Sequence, residues 1–258
     1  MQRVLFHQTI FGPIHSRRLG TSLGVNLSPV DGKVCSFDCL YCEAGFNAQG
    51  PGKAGLPRRE EVARLLEEKL AGMKSRGESL DVITFSGNGE PTMHPEFEGI
   101  IDDTIRLRDR YFPGVKISVL SNATRLGRED VGRALRRVDN NILKLDSAIE
   151  ETVRRLDRPV AHYSVDEVID QIASFSPDCI VQTMILRGSH DGQTVDNTTE
   201  REVSALIEAY RRIRPREVML YSIDRKTPEE HLEKVGPEEL NRIADRIRRE
   251  GIEVQVSC

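Results

Sequence analysis

The chain has 258 residues, 38% hydrophobic and 30% charged, with no tryptophan and a formal net charge of −4. That is ample material for one core, and no apolar run approaches the roughly 20 residues of a membrane span. The acidic balance argues against a broad cationic footprint for duplex nucleic acid and leaves room for a local basic patch, and residues 1–7 turn polar too soon for a secretory signal, so a soluble protein of the reducing cytoplasm is expected.

Residues 11–29 are punctuated by Gly12, Gly20 and Gly24, which predicts a wrap around the scaffold leading into a short strand, Val25-Asn26-Leu27. Arg17-Arg18 within it is either a solvated pair or an anion clamp. Next comes Cys35-Ser36-Phe37-Asp38-Cys39-Leu40-Tyr41-Cys42, three thiols in eight residues of a chain with five cysteines. Three soft thiolates suit iron–sulfur or zinc far better than magnesium or calcium. A zinc site would need a fourth ligand, and no second cysteine dyad accompanies the triplet; close spacing and an odd count argue against disulfides. A four-iron cluster held by three cysteines leaves one iron without a protein ligand, open to chemistry. Residues 44–57 hold four Gly and two Pro, which excludes regular structure and suits a loop folded over such a cluster.

From Arg58 onward helical and strand periodicities alternate. Val62, Leu65, Leu66, Leu70 and Met73 fall at helical spacing before the strand Val82–Phe85. Helix Phe97–Arg110 leads to strand Val115–Leu120, helix Arg128–Val138 to strand Ile142–Leu145, and helix Val165–Phe175 to strand Ile180–Leu186. Helix Glu200–Ile213 then feeds strand Val218–Tyr221, and helix Glu238–Arg249 feeds Ile252–Val256. Ser164 with Glu167 and Thr199 with Glu202 fit the capping box, and Gly236-Pro237 puts proline at the first helical position. The alternation predicts a parallel sheet with right-handed crossovers. Six strands followed by helices and then a seventh are too few for a closed eight-fold barrel and fit a partial, open (β/α)6-type TIM barrel with a trailing seventh strand. No linker separates a second domain. Residues 1–34 form the wrap and first strand, 35–57 the cluster loop, and 58–258 the βα repeats.

In such barrels chemistry gathers at the C-terminal ends of the strands. Those ends carry Gly87-Asn88-Gly89-Glu90, Ser121-Asn122, Lys144-Leu145-Asp146, Arg187-Gly188-Ser189-His190 and Tyr221-Ser222-Ile223-Asp224-Arg225. Polar turns alone account for part of this, but not for Lys144 inside an apolar strand. The cysteine spacing, with Tyr41 as the aromatic residue before Cys42, resembles the signature of the radical S-adenosylmethionine (SAM) enzymes. Gly87-Asn88-Gly89-Glu90 is similar to that family's glycine-rich SAM-amino motif, with Asn88 in place of the commoner glycine. Together with Gly12-Pro13-x-x-Ser16-Arg17-Arg18-Leu19-Gly20 and Phe85–Pro95, nearly the whole chain resembles a bacterial branch related to the wybutosine-synthesis enzymes.

The resemblance implies one 4Fe–4S cluster on Cys35, Cys39 and Cys42, whose open iron chelates SAM. It also implies reductive cleavage to a 5′-deoxyadenosyl radical that abstracts a substrate hydrogen, and an electron donor of flavodoxin or ferredoxin type. Cofactor contacts are implied for Tyr41, Gly87, Asn88, Gly89, Glu90, Ser121, Asn122 and Asp146. Backbone at Met184–Leu186 is expected to stand in for the missing adenine-contacting Gly-x-Ile-x-Gly pattern. The tRNA-modifying relatives carry a second, N-terminal cluster, and no cysteine precedes Cys35 here, so the resemblance carries the cofactor and not the substrate.

Cys179 opens the fifth strand, far from the mouth, and reads as a packing cysteine. Cys258 follows the last strand and reads as an uninvolved terminal thiol. His94 is either a substrate contact or a helix lead-in, and the other histidines form no ligand dyad. Arg17, Arg18, Arg187 and Arg225 are all sent toward the mouth, where guanidinium groups would meet a small anionic metabolite or a peptide rather than a folded RNA, or would pair with Asp191, Asp196 or Asp224. The alternatives are a non-catalytic zinc- or iron–sulfur-binding protein and a tRNA-modifying enzyme of the same family.

Overall fold

Seven parallel strands form the frame of the computed structural model, which describes residues 3–16 and 18–257. They are β2 (Gly20–Val25), β3 (Val82–Phe85), β4 (Lys116–Ser121), β5 (Asn140–Lys144), β6 (Cys179–Met184), β9 (Glu217–Tyr221) and β11 (Val254–Ser257), paired in that order. An antiparallel strand, β1 (Ile10–Ser16), borders β2, and β11 pairs only with β9, so the sheet stays open. The alternation that predicted the curled, partial barrel therefore holds. Each strand turns one row of side chains outward. Leu23, Val25, Ile83, Phe85, Ile117, Val119, Leu143, Val181, Val218 and Leu220 share one buried cluster with the apolar faces of the helices. Among those helices are α1 (Arg59–Ser75), which buries Val62, Leu66, Leu70 and Met73, and α2 (Phe97–Tyr111). Burying each such side chain contributes about 1.5–3 kcal/mol, which makes this layer the main source of stability. The opposite row forms a separate plug of Ile142, Ile180 and Met219, with Leu19 and Leu120 packed on it.

Four expectations need correction. The first parallel strand runs over Gly20–Val25 rather than Val25–Leu27, because the glycine-punctuated stretch is a β1–β2 hairpin; its glycines concealed the strand periodicity. The fifth strand ends at Met184. Leu186–His190 (β7) starts a second sheet with β8 (Gln193–Asp196) and β10 (Leu232–Lys234), so the βα repeats are interrupted by a small antiparallel layer built from segments that read as polar loops. Helix α3 covers only Glu129–Leu135, while an unforeseen helix, α4 (Glu150–Leu156), follows β5. Finally, the capping boxes are half formed. Ser164 and Thr199 cap α5 (Val165–Ala173) and α6 (Glu200–Ile213), but Glu202 turns away to accept from Ser147 Oγ and Thr152 Oγ1 at 2.6 and 2.5 Å. The last helix, α7 (Pro237–Arg248), begins on its proline as expected. Among the described residues no helix is long and apolar enough to cross a membrane. The expectations about Arg17 and Cys258 lie outside the described residues.

Candidate functional site

The cysteine loop is laced into the strand ends from two sides. On one side Val34 pairs with the glycine-rich loop after β3, Val34 N donating to Asn88 O (3.1 Å) and Glu90 N to Val34 O (3.0 Å). Gly89 is required by this pairing. Its φ is +154°, and a Cβ there would sit 1.9 Å from Val34 O. Gly89→Ala should therefore push the cysteine loop off its seat, cutting iron uptake while far-ultraviolet circular dichroism stays that of the wild type; full iron loading in the variant would show that the loop tolerates the shift. On the other side the loop fills the C-terminal end of α4, whose last carbonyls lack helical partners. Leu40 N donates to Leu156 O and Asp38 N to Asp157 O, both at 3.0 Å.

The residues expected at the cofactor fall into two groups. Near Cys35, the buried Glu90 carboxylate accepts from Thr92 N and Oγ1 (3.1 and 2.5 Å), Ser121 Oγ (2.8 Å) and Asn122 N (2.7 Å). Burial still raises its pKa above the usual carboxylate range, because desolvation outweighs these bonds. Asn122 Nδ2 donates to Ser36 Oγ (2.9 Å) and approaches Cys35 Sγ (3.6 Å), which ties this group to the first thiol. Near Cys39, Tyr41 Oη donates to Asp146 Oδ2, and Lys144 Nζ donates to Asp146 and Asp157. Burial opposes the Lys144 charge, but the two carboxylates outweigh it and raise its pKa. Asp146 Oδ1 accepts from Met184 N (2.9 Å). The side chains of Glu90 and Asp146 are thus already braced by the fold.

Asn88 does not join either group. Its amide exchanges hydrogen bonds with Phe6 N (2.8 Å) and Phe6 O (2.9 Å) and donates to Pro29 O (2.9 Å), pinning the N-terminal segment. The backbone expected to stand in for the adenine pattern is also engaged: Met184 O and Leu186 N bond to the buried Asn197 at 2.7 and 2.9 Å. His94 is a lead-in, its Nε2 against Pro57 O (2.8 Å) and its Nδ1 accepting from Glu96 N (3.1 Å). Cys179 is a buried packing cysteine, its thiol toward Ile172 O.

The arginines do not act as one set. Arg187 pairs with Glu239 and Arg225 with Glu43 (2.7 Å), neither being one of the aspartates anticipated from the sequence. Arg18 instead lies 4.6 Å over the Tyr221 ring, and its Nη1 is buried without a hydrogen-bond partner.

Two residues escaped the sequence reading. Asp157 sits one residue beyond α4, whose signal was the Glu150–Arg154 and Glu151–Arg155 pairs at i,i+4 spacing. Lys33, its side chain 1% exposed, donates from Nζ to Gly45 O (2.8 Å) and lies 3.6 Å from Asp38 Oδ1. Nothing local marked it.

This donor set fits an iron–sulfur cluster. Burial pushes the Cys35 thiol up to about 12 and the Cys39 thiol well above its usual range, so both would be neutral unless a metal held the thiolates. Cys35 Sγ also faces Phe37 N (3.5 Å), a donor of the kind that stabilises cluster sulfur.

Comparison with known proteins agrees. Residues 30–198 match the radical SAM superfamily. A UPF0026 protein of Methanocaldococcus jannaschii is 32% identical over 185 residues, covering 68% of this chain and 53% of the relative. A UPF0026 protein of Synechocystis sp. is 30% identical over 226 residues, covering 85% of this chain and 77% of the relative. In structure, a radical SAM methyltransferase from Sphaerobacter thermophilus superposes with a TM-score of 0.65 at 16% identity, over 92% of this chain and 65% of that one. The chain thus spans about half the length of the archaeal relative, and the last likeness speaks for the fold alone. Sequence match, strand-end cysteine loop and open parallel barrel together assign this chain to the radical SAM superfamily, as a member of the UPF0026 group.

Proposed function

We propose that the protein holds one 4Fe–4S cluster on Cys35, Cys39 and Cys42 and uses SAM to start a radical reaction on a substrate bearing an anionic group. The observation that carries this reading is the seating of all three thiols in one loop at the strand ends, braced by Glu90 and Asn122 on one side and by Lys144 and Asp157 on the other. Held on Cys35, Cys39 and Cys42, the cluster would supply the electron for reductive cleavage of the SAM sulfonium to methionine and a 5′-deoxyadenosyl radical able to take a hydrogen atom from substrate. The chain's own residues do the rest. The bare backbone at Gly87 and Gly89 lets the glycine-rich loop close on Asn26 and Val34, which seats the cysteine loop and sets Glu90, Ser121 and Asn122 together beside Cys35. Leu40, Leu156, Met184 and Leu186 keep the mouth dry, which protects a radical from quenching. A flavodoxin- or ferredoxin-type protein is the electron donor.

The direct test is anaerobic reconstitution with iron and sulfide, then SAM and dithionite. A brown protein that forms 5′-deoxyadenosine supports the reading, and a colourless protein that leaves SAM intact refutes it. The anionic part of the proposal rests on Arg18, whose charge has no carboxylate partner among the described residues, whereas the charges of Arg187 and Arg225 are already met. Loss of one charge-assisted contact costs about 1.5–3 kcal/mol, so Arg18→Gln should lower extract-stimulated SAM cleavage roughly ten- to a hundred-fold. Arg187→Gln and Arg225→Gln should leave that stimulation near the wild-type value. Equal losses in all three variants would remove the distinction and with it the role of Arg18.

A further inference from the structure

Resting on the cluster reading above, we propose that Lys33 is a positioning residue that closes the cysteine loop and, through its fixed charge, raises the reduction potential of the cluster. Its place in the chain is the first observation. Lys33 stands two residues before the first cysteine, and its ammonium lands on the carbonyl of Gly45, three residues beyond the last, so one side chain spans the loop from end to end. Gly45 N in turn donates to Cys42 O (2.8 Å), which passes that anchorage back to the third thiol.

The second observation is electrostatic. A lysine with 1% of its side chain exposed has given up its hydration, a cost that a protein must offset with nearby negative charge. Among the described residues its carboxylate partner is Asp38, 3.6 Å away and already shared with Asn47 N (2.6 Å) and with Arg158 Nη2 (3.5 Å). That leaves the ammonium under-compensated beside a loop whose function is to carry three thiolates. Reduction adds one negative charge to the cluster, and a buried cation stabilises the reduced form more than the oxidised one, because the interaction is weakly screened at low dielectric. Cluster potentials respond to local charge in this direction.

Lys33→Met keeps the length and apolar stem while removing the charge and the bond to Gly45, and Lys33→Arg keeps a cation. After anaerobic reconstitution, iron and sulfide are counted and the cluster is titrated potentiometrically by electron paramagnetic resonance without SAM. The expected result is a midpoint shifted negative in Lys33→Met and close to wild type in Lys33→Arg. A midpoint unchanged in the Met variant overturns the proposal, as does an Arg variant that shifts as far as Met. Where Lys33→Met takes up no cluster, Lys33→Arg decides: restored loading with a near-wild-type midpoint supports the proposal, and failure of both variants to load overturns it. A wild-type protein that binds no cluster would instead sink the proposed function itself, which keeps the two failures apart.

Discussion

Cys42→Ala is expected to yield a folded protein that forms no 5′-deoxyadenosine from SAM, and Cys35→Ala and Cys39→Ala should behave alike. Each removes one of the three thiols of the loop, and the other described cysteine, Cys179, is buried in β6 and cannot replace it. Two thiolates can retain a damaged cluster, so iron content should fall without reaching zero, and SAM cleavage is the decisive measurement. Folding should survive, because Cys35 and Cys42 are only partly buried, and the buried Cys39 loses a single sulfur from the core, on the order of 1 kcal/mol. Cys179→Ala is the control. Its thiol lies fully buried in β6 on the side of α5, so the change should cost on the order of 1 kcal/mol in stability and leave SAM cleavage at the wild-type rate. Full SAM cleavage in Cys42→Ala would end the assignment of that residue as a ligand.

Lys144→Ala should lower unfolding free energy by about 3–5 kcal/mol, the cost of removing one partner from a buried ion pair. The side chains of Asp146 and Asp157 are 0% and 2% exposed, and without the ammonium between them two carboxylates would face each other out of water. The ammonium also lies over the Phe37 and Tyr41 rings at 5.4 and 5.3 Å, so the floor under Cys39 loosens at the same time. Urea denaturation of the reconstituted protein measures the change. Adding Asp157→Asn to Lys144→Ala should recover only part of the loss, since it neutralises one of the two buried carboxylates while Asp146 keeps its charge. A Lys144→Ala protein within about 1 kcal/mol of wild type would show that water enters the network, and the electrostatic account of the loop floor would fail.

Much of the architecture was legible because it rests on local regularities. A short apolar run between turn residues forms a buried strand wherever it occurs, and a 3.6-residue apolar repeat forms a helix, so six of the seven parallel strands could be read to within a few residues. The cysteine triplet was legible for a similar reason: ligands of one cluster can sit on one short loop, where their spacing is a property of the chain itself. Strand β2 was misplaced and β7, β8 and β10 were missed, because glycine-rich and polar segments carry no periodicity; their strand character comes from the partner that pairs with them.

The site's inner organisation belongs to contacts between segments far apart in the chain. Gly89 looked like a concession to a ligand, yet the atom that forbids a side chain there is Val34 O. Asp146 and Tyr41 were singled out separately and turn out to be bonded directly to each other, while Asp146 shares a lysine with an aspartate that no motif marked. Four arginines were indistinguishable in sequence. Arg187 meets Glu239 across 52 positions and Arg225 meets Glu43 across 182, while Arg18 is left with an aromatic face. Composition sets how many charges a chain carries, but a charge is neutralised by whatever the fold brings within a few ångströms of it, and that proximity has no period along the sequence.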